Sequence, residues 1–211
     1  MQSDDETLAE DPSGALVAAG HGHGDDPDAL LRRHLSNGDT RLRVVALRGA
    51  ARRGFLNDGE WLDLLDDPDV EFRRDVIRLL AYRTINTDEL LQRLVVALGD
   101  DDALVSERAA FALGEHHFSA ALDALATMAR DHDDARCRES AVAALGALGE
   151  ESGLSAIIAA LDDKAPIRRR AIVALSNFEG PRVDEALERA RDDRDWQVRA
   201  AVTQLGRHEN D

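Results

Sequence analysis

The chain has 211 residues, 44% of them hydrophobic and 4% aromatic, with a formal net charge of -16. A core is therefore built from Leu, Ala, Val and Ile, a single cysteine excludes an internal disulfide, and the negative field disfavours a duplex-binding role. Asp outnumbers Glu 28 to 14, and Lys164 is the only lysine. Short carboxylates paired with arginine suit a cytosol at molar salt, where repulsion is screened within a few ångströms, so the composition points to a halophile, and to an archaeal one.

From the N-terminus, residues 1–25 are acidic and glycine-rich, lack helical periodicity and read as a disordered tail. Acids stand where a signal peptide carries positive charge, and apolar runs such as "AVAALGALG" are about half a membrane span. A cytoplasmic location follows. The "HGHG" stretch at 21–24 reads as linker, since a structural metal site takes four ligands and the tail offers two.

Residues 26–208 form the repeat domain. Six ten-residue windows recur: "LRVVALRGAA" (42–51), "FRRDVIRLLA" (72–81), "VSERAAFALG" (105–114), "CRESAVAALG" (137–146), "IRRRAIVALS" (167–176) and "QVRAAVTQLG" (197–206). Positions one, five and nine of each window are mostly apolar, which lines one stripe of a helix. In the last window Gln197 breaks the first position and Val198 stands beside it. Helices precede the windows near 27–35, 59–65, 87–98, 120–129, 153–161 and 182–190, with Thr87 as one start signal. Acidic turns such as "DDPD" (66–69) and "DDRD" (192–195) separate the pairs, and their Asp residues suit helix N-caps. The last residues, "RHEND", should fray. A helical hairpin cannot bury its apolar face alone, so the fold class is all-α, a right-handed α-solenoid of six hairpins with the window helices second in each pair.

The pattern D-D-x-x-V-R-x-x-A-x-x-A-L-G resembles the short HEAT-like repeat of the phycobilisome-lyase type. Arg138, Ala141, Leu145, Gly146, Arg168, Ala171 and Leu175 carry the match. The resemblance implies architecture, since such repeats occur in lyases, metal hydroxylases, DNA glycosylases and adaptors. In deoxyhypusine hydroxylases, which resemble this array, His-Glu pairs at window positions three and four hold iron. Here those positions read Val44-Val45, Arg74-Asp75, Glu107-Arg108, Glu139-Ser140, Arg169-Arg170 and Arg199-Ala200. No metal site, cofactor or catalytic residue is expected, and few aromatic residues are present to pack a bilin.

Cys137 stands at position one, where other windows carry Leu42, Phe72, Val105 and Ile167, and reads as a core contact. His116 and His117 read as helix C-terminal caps. Position two is Arg43, Arg73, Arg138 and Arg168, with Ser106 and Val198 as exceptions, and reads as an Arg–Asp ladder between repeats. Positions three and seven should line the concave face: Arg48, Arg74, Arg78, Glu107, Phe111, Glu139, Arg169, Val173 and Arg199. Arginine and aromatic residues are the usual anchors of protein interfaces. The expected function is a monomeric, non-enzymatic adaptor that binds a protein partner. A lyase- or hydroxylase-type enzyme and a HEAT-like nucleic-acid binder stand as alternatives.

Overall fold

An acidic or amide side chain begins most of the helices. In the computed structural model, which describes residues 12–36 and 38–208, Asp26, Asp39, Asp102 and Asp134 each accept a backbone N–H from the first turn of the helix that follows. Asn57 and Glu60 form a reciprocal capping box. The described residues form thirteen α-helices: α1 Pro12–Gly20, α2 Pro27–Leu35, α3 Thr40–Arg53, α4 Asp58–Leu65, α5 Val70–Leu80, α6 Asp88–Ala97, α7 Ala103–Glu115, α8 Leu122–Asp131, α9 Ala135–Leu148, α10 Leu154–Ala159, α11 Ala165–Leu175, α12 Pro181–Ala190 and α13 Trp196–His208. The described residues contain no strand. All six windows lie on helices, α3 to α13 taken alternately, and each is preceded by its shorter partner.

The chain divides into two units, residues 1–79 and 80–211. In the first, α3 packs on α2 and α1, and its Ala46, Leu47 and Ala50 are fully buried. In the second, the window helices α7, α9, α11 and α13 stack side by side. Each packs on its own preceding helix, α6, α8, α10 or α12. This is the layering of an α-solenoid.

Three corrections to the sequence reading follow. Part of the expected 1–25 tail is ordered: α1 buries Leu16, Ala19 and Gly20, while residues 1–11 lie outside the described residues. The reason is register. Leu16, Ala19 and Gly20 reproduce window positions six, nine and ten, and α1 stacks on α3 as α7 stacks on α9. A Cβ on Gly20 would lie 3.0 Å from Gly49 Cα, and one on Gly114 would lie 3.0 Å from Ala144 Cα. Position ten of one window thus meets position eight of the next, so α1 is half of an additional repeat.

The last window also begins one residue later than its sequence suggests. Val198 is fully buried and Gln197 exposed, because Asp195 caps α13 through Gln197 N and Val198 N (2.8 and 3.4 Å). Residues 207 and 208 are helical in α13, and residues 209–211 lie outside the described residues. The third correction is that position six, absent from the predicted stripe, is buried as well: Leu47, Ile77, Ala110, Val142 and Ile172.

Contacts this close tolerate no added methyl group. A Cβ on Gly146 would lie 2.8 Å from Ala174 Cα and 2.6 Å from its Cβ. Gly146→Ala therefore loses about 1–2 kcal/mol in urea unfolding, although alanine favours a helix by about 1 kcal/mol. Gly38→Ala, with open space around it, stays within about 0.5 kcal/mol of the parent. A neutral Gly146→Ala would refute the close packing.

Candidate functional site

Three position-two arginines, Arg43, Arg138 and Arg168, bond carboxylates of the following acidic turn as the expected ladder does, and Arg73 Nη1 donates to Asp67 O of its own turn. Arg168 Nε and Nη2 donate to Asp193 Oδ2 and Oδ1 at 2.8 and 2.7 Å, while Nη1 donates to Asp163 O. Arg138 holds Asp163 in the same bidentate way at 2.7 and 2.9 Å, with Nη1 on His132 O. In the first unit Arg43 holds Asp67 with two bonds and lies 4.0 Å over the Phe72 ring. The recipient Asp also accepts a turn N–H two residues on, from Asp69 to Asp67 and from Asp195 to Asp193. In each of these D-x-D turns one carboxylate takes the guanidinium and the next caps the helix.

Arg199, expected on the binding face, is exposed and donates to its own turn as the position-two arginines do. Its Nη1 donates to Asp193 O at 2.6 Å, six residues back, as Arg138 donates to His132 O. The one-residue shift of the last window moves it from position three to position two.

Where Ser106 replaces the arginine, the next turn has His132 in place of the accepting Asp. Ser106 is buried and donates to Asp100 O at 3.1 Å, and His132 Nδ1 accepts Asp134 N. Both charges of that rung are absent together.

Cys137 is fully buried and donates to Ala103 O at 3.1 Å. Burial foremost, with Asp134 and Glu107 nearby, pushes the thiol up to about 11, so it is a core contact and not a thiolate at neutral pH. His116 Nε2 and His117 Nδ1 donate to the carbonyls of Leu80 and Ala147 at helix C-terminal ends (2.8 and 3.1 Å). In the HGHG stretch, His21 Nε2 accepts from Arg52 Nη1 at 2.9 Å. Among the described residues no group of three or more His, Cys, Asp or Glu is placed to hold a metal ion.

The remaining residues expected on the binding face are exposed (Arg48, Phe111, Arg169, Val173) or half-buried (Arg74, Arg78, Glu107, Glu139) on the window helices. In the first unit, Asp75 receives both Arg48 (3.0 Å) and Arg78 (2.7 Å), with half-buried Arg74 beside it in sequence. In the second, Glu107 is half-buried, and exposed Phe111 packs on exposed Tyr82 with ring centroids 6.0 Å apart. Glu139 lies 3.5 Å from Arg170. Exposed Arg169 and Val173 line a cavity of about 280 Å³ with Trp196. Sequence reasoning missed Asp75, Arg170, Tyr82 and Trp196. Trp196 was open to discovery, because it precedes the apolar register of its helix and has no core position to fill.

Residues 60–146 and 122–206 match the family model described as HEAT repeats, together more than half of the chain. The chain belongs to the HEAT repeat family. One curated relative, deoxyhypusine hydroxylase-B from Oryza sativa subsp. japonica, is 32% identical over 112 residues, 52% of this chain and 37% of that protein. The chain thus spans little more than a third of that relative. Among solved structures, the complex of CpcE and CpcF of phycocyanin lyase from Nostoc sp. PCC7120 is similar at a TM-score of 0.63 and 19% identity, covering 83% of this chain and 74% of that one. A designed armadillo repeat protein in complex with the peptide (KR)4 is similar at 0.59 and 19%, covering 83% and 96%. At such identities the likeness is one of fold.

The Arg138 and Arg168 bonds hold the Asp163 and Asp193 carboxyls below the usual carboxylate range. A pKa lowered in the folded state contributes stability above the unfolded value of about 4, and that contribution is lost as pH falls through the folded one. Arg168 is 4% exposed, so Asp193→Ala leaves an unpaired buried charge and costs about 3 kcal/mol in urea unfolding at pH 7. The double variant Arg168→Ser/Asp193→His, which copies the Ser106/His132 rung, costs less than either single change. In Asp193→Ala the loss shrinks below pH 4. Additive losses in the double variant would overturn the ladder as a coupled pair.

Proposed function

We propose that this HEAT repeat protein is a monomeric, non-catalytic adaptor that holds a protein partner through positions three and seven of its window helices, the side expected to be concave. The observation that carries the reading is the set of large apolar side chains this face leaves exposed, Phe111, Val173 and Trp196 with Tyr82 alongside, among arginines. Arginine and aromatic groups dominate the binding energy of protein interfaces. Stacking uses positions one, five, six, eight and ten, and the ladder uses position two, so positions three and seven are available for recognition. The peptide carried by the designed armadillo relative supports this use of the fold.

The third and fourth window positions carry no His-Glu pair, which favours binding over the hydroxylase chemistry of the rice relative. No helix among the described residues is long and apolar enough to cross a membrane. We place the protein in the cytoplasm of a halophile, because 28 Asp stand against one lysine and the ion pairs of the ladder are short and largely shielded.

Affinity capture from a high-salt lysate should retain one defined partner, identified by cross-linking and mass spectrometry. Arg74→Glu or Phe111→Ala loses that partner while circular dichroism stays unchanged. Co-elution of DNA or RNA in its place would overturn the reading, and stoichiometric metal after chelator-free purification would restore the enzymatic one.

Salt provides a separate check. Helicity at 222 nm should fall as KCl drops below about 1 M, where repulsion among carboxylates is less screened. Full helicity in dilute buffer would remove the halophilic assignment.

A further inference from the structure

Three consecutive arginines, 168 to 170, occupy positions two to four of window five, and the ladder accounts for the first alone. The next two line the cavity of about 280 Å³ between α11 and α13, with Val173, Trp196, Gln197 and Gln204. Their guanidiniums are poorly engaged compared with Arg168. Arg169 Nη1 makes a long 3.3 Å bond to Gln197 Oε1. Arg170 Nη2 lies 3.5 Å from Glu139, and Arg170 Nε is buried with no acceptor. Trp196 is 67% exposed, Val173 48%.

We infer that this cavity is a docking pocket for an acidic segment of a protein partner, one in which a carboxylate neighbours an aromatic side chain. This rests on the reading of the window-helix face as the partner-binding surface. The charge is complementary: a carboxylate entering the pocket gives Arg169 a stronger acceptor than a glutamine amide and gives Arg170 one to turn toward. Its aromatic neighbour packs on Trp196 over Val173, and the two glutamines supply amide groups to a peptide backbone. The preference is opposite in sign to the basic peptide (KR)4 held by the designed armadillo protein. A polynucleotide fits less well, because its affinity comes from many phosphate contacts at once. This pocket offers two guanidiniums, one of them beside Glu139, on a chain of net charge -16.

The chain has two tryptophans, and Trp61 is 2% exposed, so iodide quenching reports on Trp196. The probe is Ac-Ser-Asp-Phe-Asp-Phe-Ser-NH2, compared with the same peptide carrying Lys for Asp, in the lowest KCl that retains full helicity. The acidic peptide should protect Trp196 saturably and the lysine peptide should not. Fluorescence anisotropy of a fluorescein-labelled copy should show Kd rising about tenfold or more in Arg169→Ala/Arg170→Ala, with unchanged helicity, since each loses a charge-assisted bond. Trp196→Ala should weaken binding in the same assay.

Three results would each overturn the pocket: no saturable binding, binding that survives the double arginine variant, or equal binding of the lysine peptide or of a ten-residue oligothymidine. A partner lost on Phe111→Ala but kept by Arg169→Ala/Arg170→Ala would also overturn it, and would leave the adaptor reading standing. Failure of partner capture with every variant and with the parent would instead remove the adaptor reading.

Discussion

A guanidinium that reaches from one repeat into the turn of the next sets the register within each unit. Arg43 on Asp67, Arg138 on Asp163 and Arg168 on Asp193 are bidentate, and each accepting carboxylate also orders its own turn. A one-residue slip of a window would move its arginine about 100° around the helix axis, away from its carboxylate. Apolar packing alone is less exacting, because leucine and alanine accept several neighbours of similar size. The ladder thus supplies direction where the aliphatic core supplies cohesion.

The rung formed by Ser106 and His132 shows which part of this arrangement can be given up. Losing only the arginine would have left an aspartate facing a shielded surface with no cation, the costly half of a broken pair. With both charges absent, α7 and α9 are joined by other means. Gly114 meets Ala144, Cys137 donates to Ala103 O, and Ser140 donates to Glu107 O at 2.9 Å. Cys137, read from the sequence as a core contact, therefore takes part in holding these repeats together where the ion pair is missing.

The six window helices, the Asp caps and the ladder were legible because each rests on spacing, and spacing survives in a sequence without coordinates. The half repeat at α1 was hidden: its positions one and five are Asp11 and Ala15, so the stripe used to find windows gave no signal there. Its signature lay at positions six, nine and ten. Arg199 was misplaced because Gln197 was counted as the first position, whereas the distance from the capping Asp195 gives the correct register. The exposed face was only partly legible. Positions three and seven identify which residues point outward, but Asp75 binding both Arg48 and Arg78 depends on side chains four and three positions apart on different or single turns, which a periodic pattern does not encode.

Carboxylates and arginines are divided between two tasks by where the turns lie. Aspartates of the turns are occupied by caps and by the ladder, and the position-two arginines are consumed with them. What remains exposed on the window helices is a small set of arginines with aromatic and aliphatic neighbours, including Arg169, Val173 and Trp196. Under the proposed adaptor reading, a substitution at positions three and seven changes what the surface recognises while the stacking contacts at positions one, five, six, eight and ten stay in place. That reading puts the information about a partner at positions three and seven and in the residues that flank them.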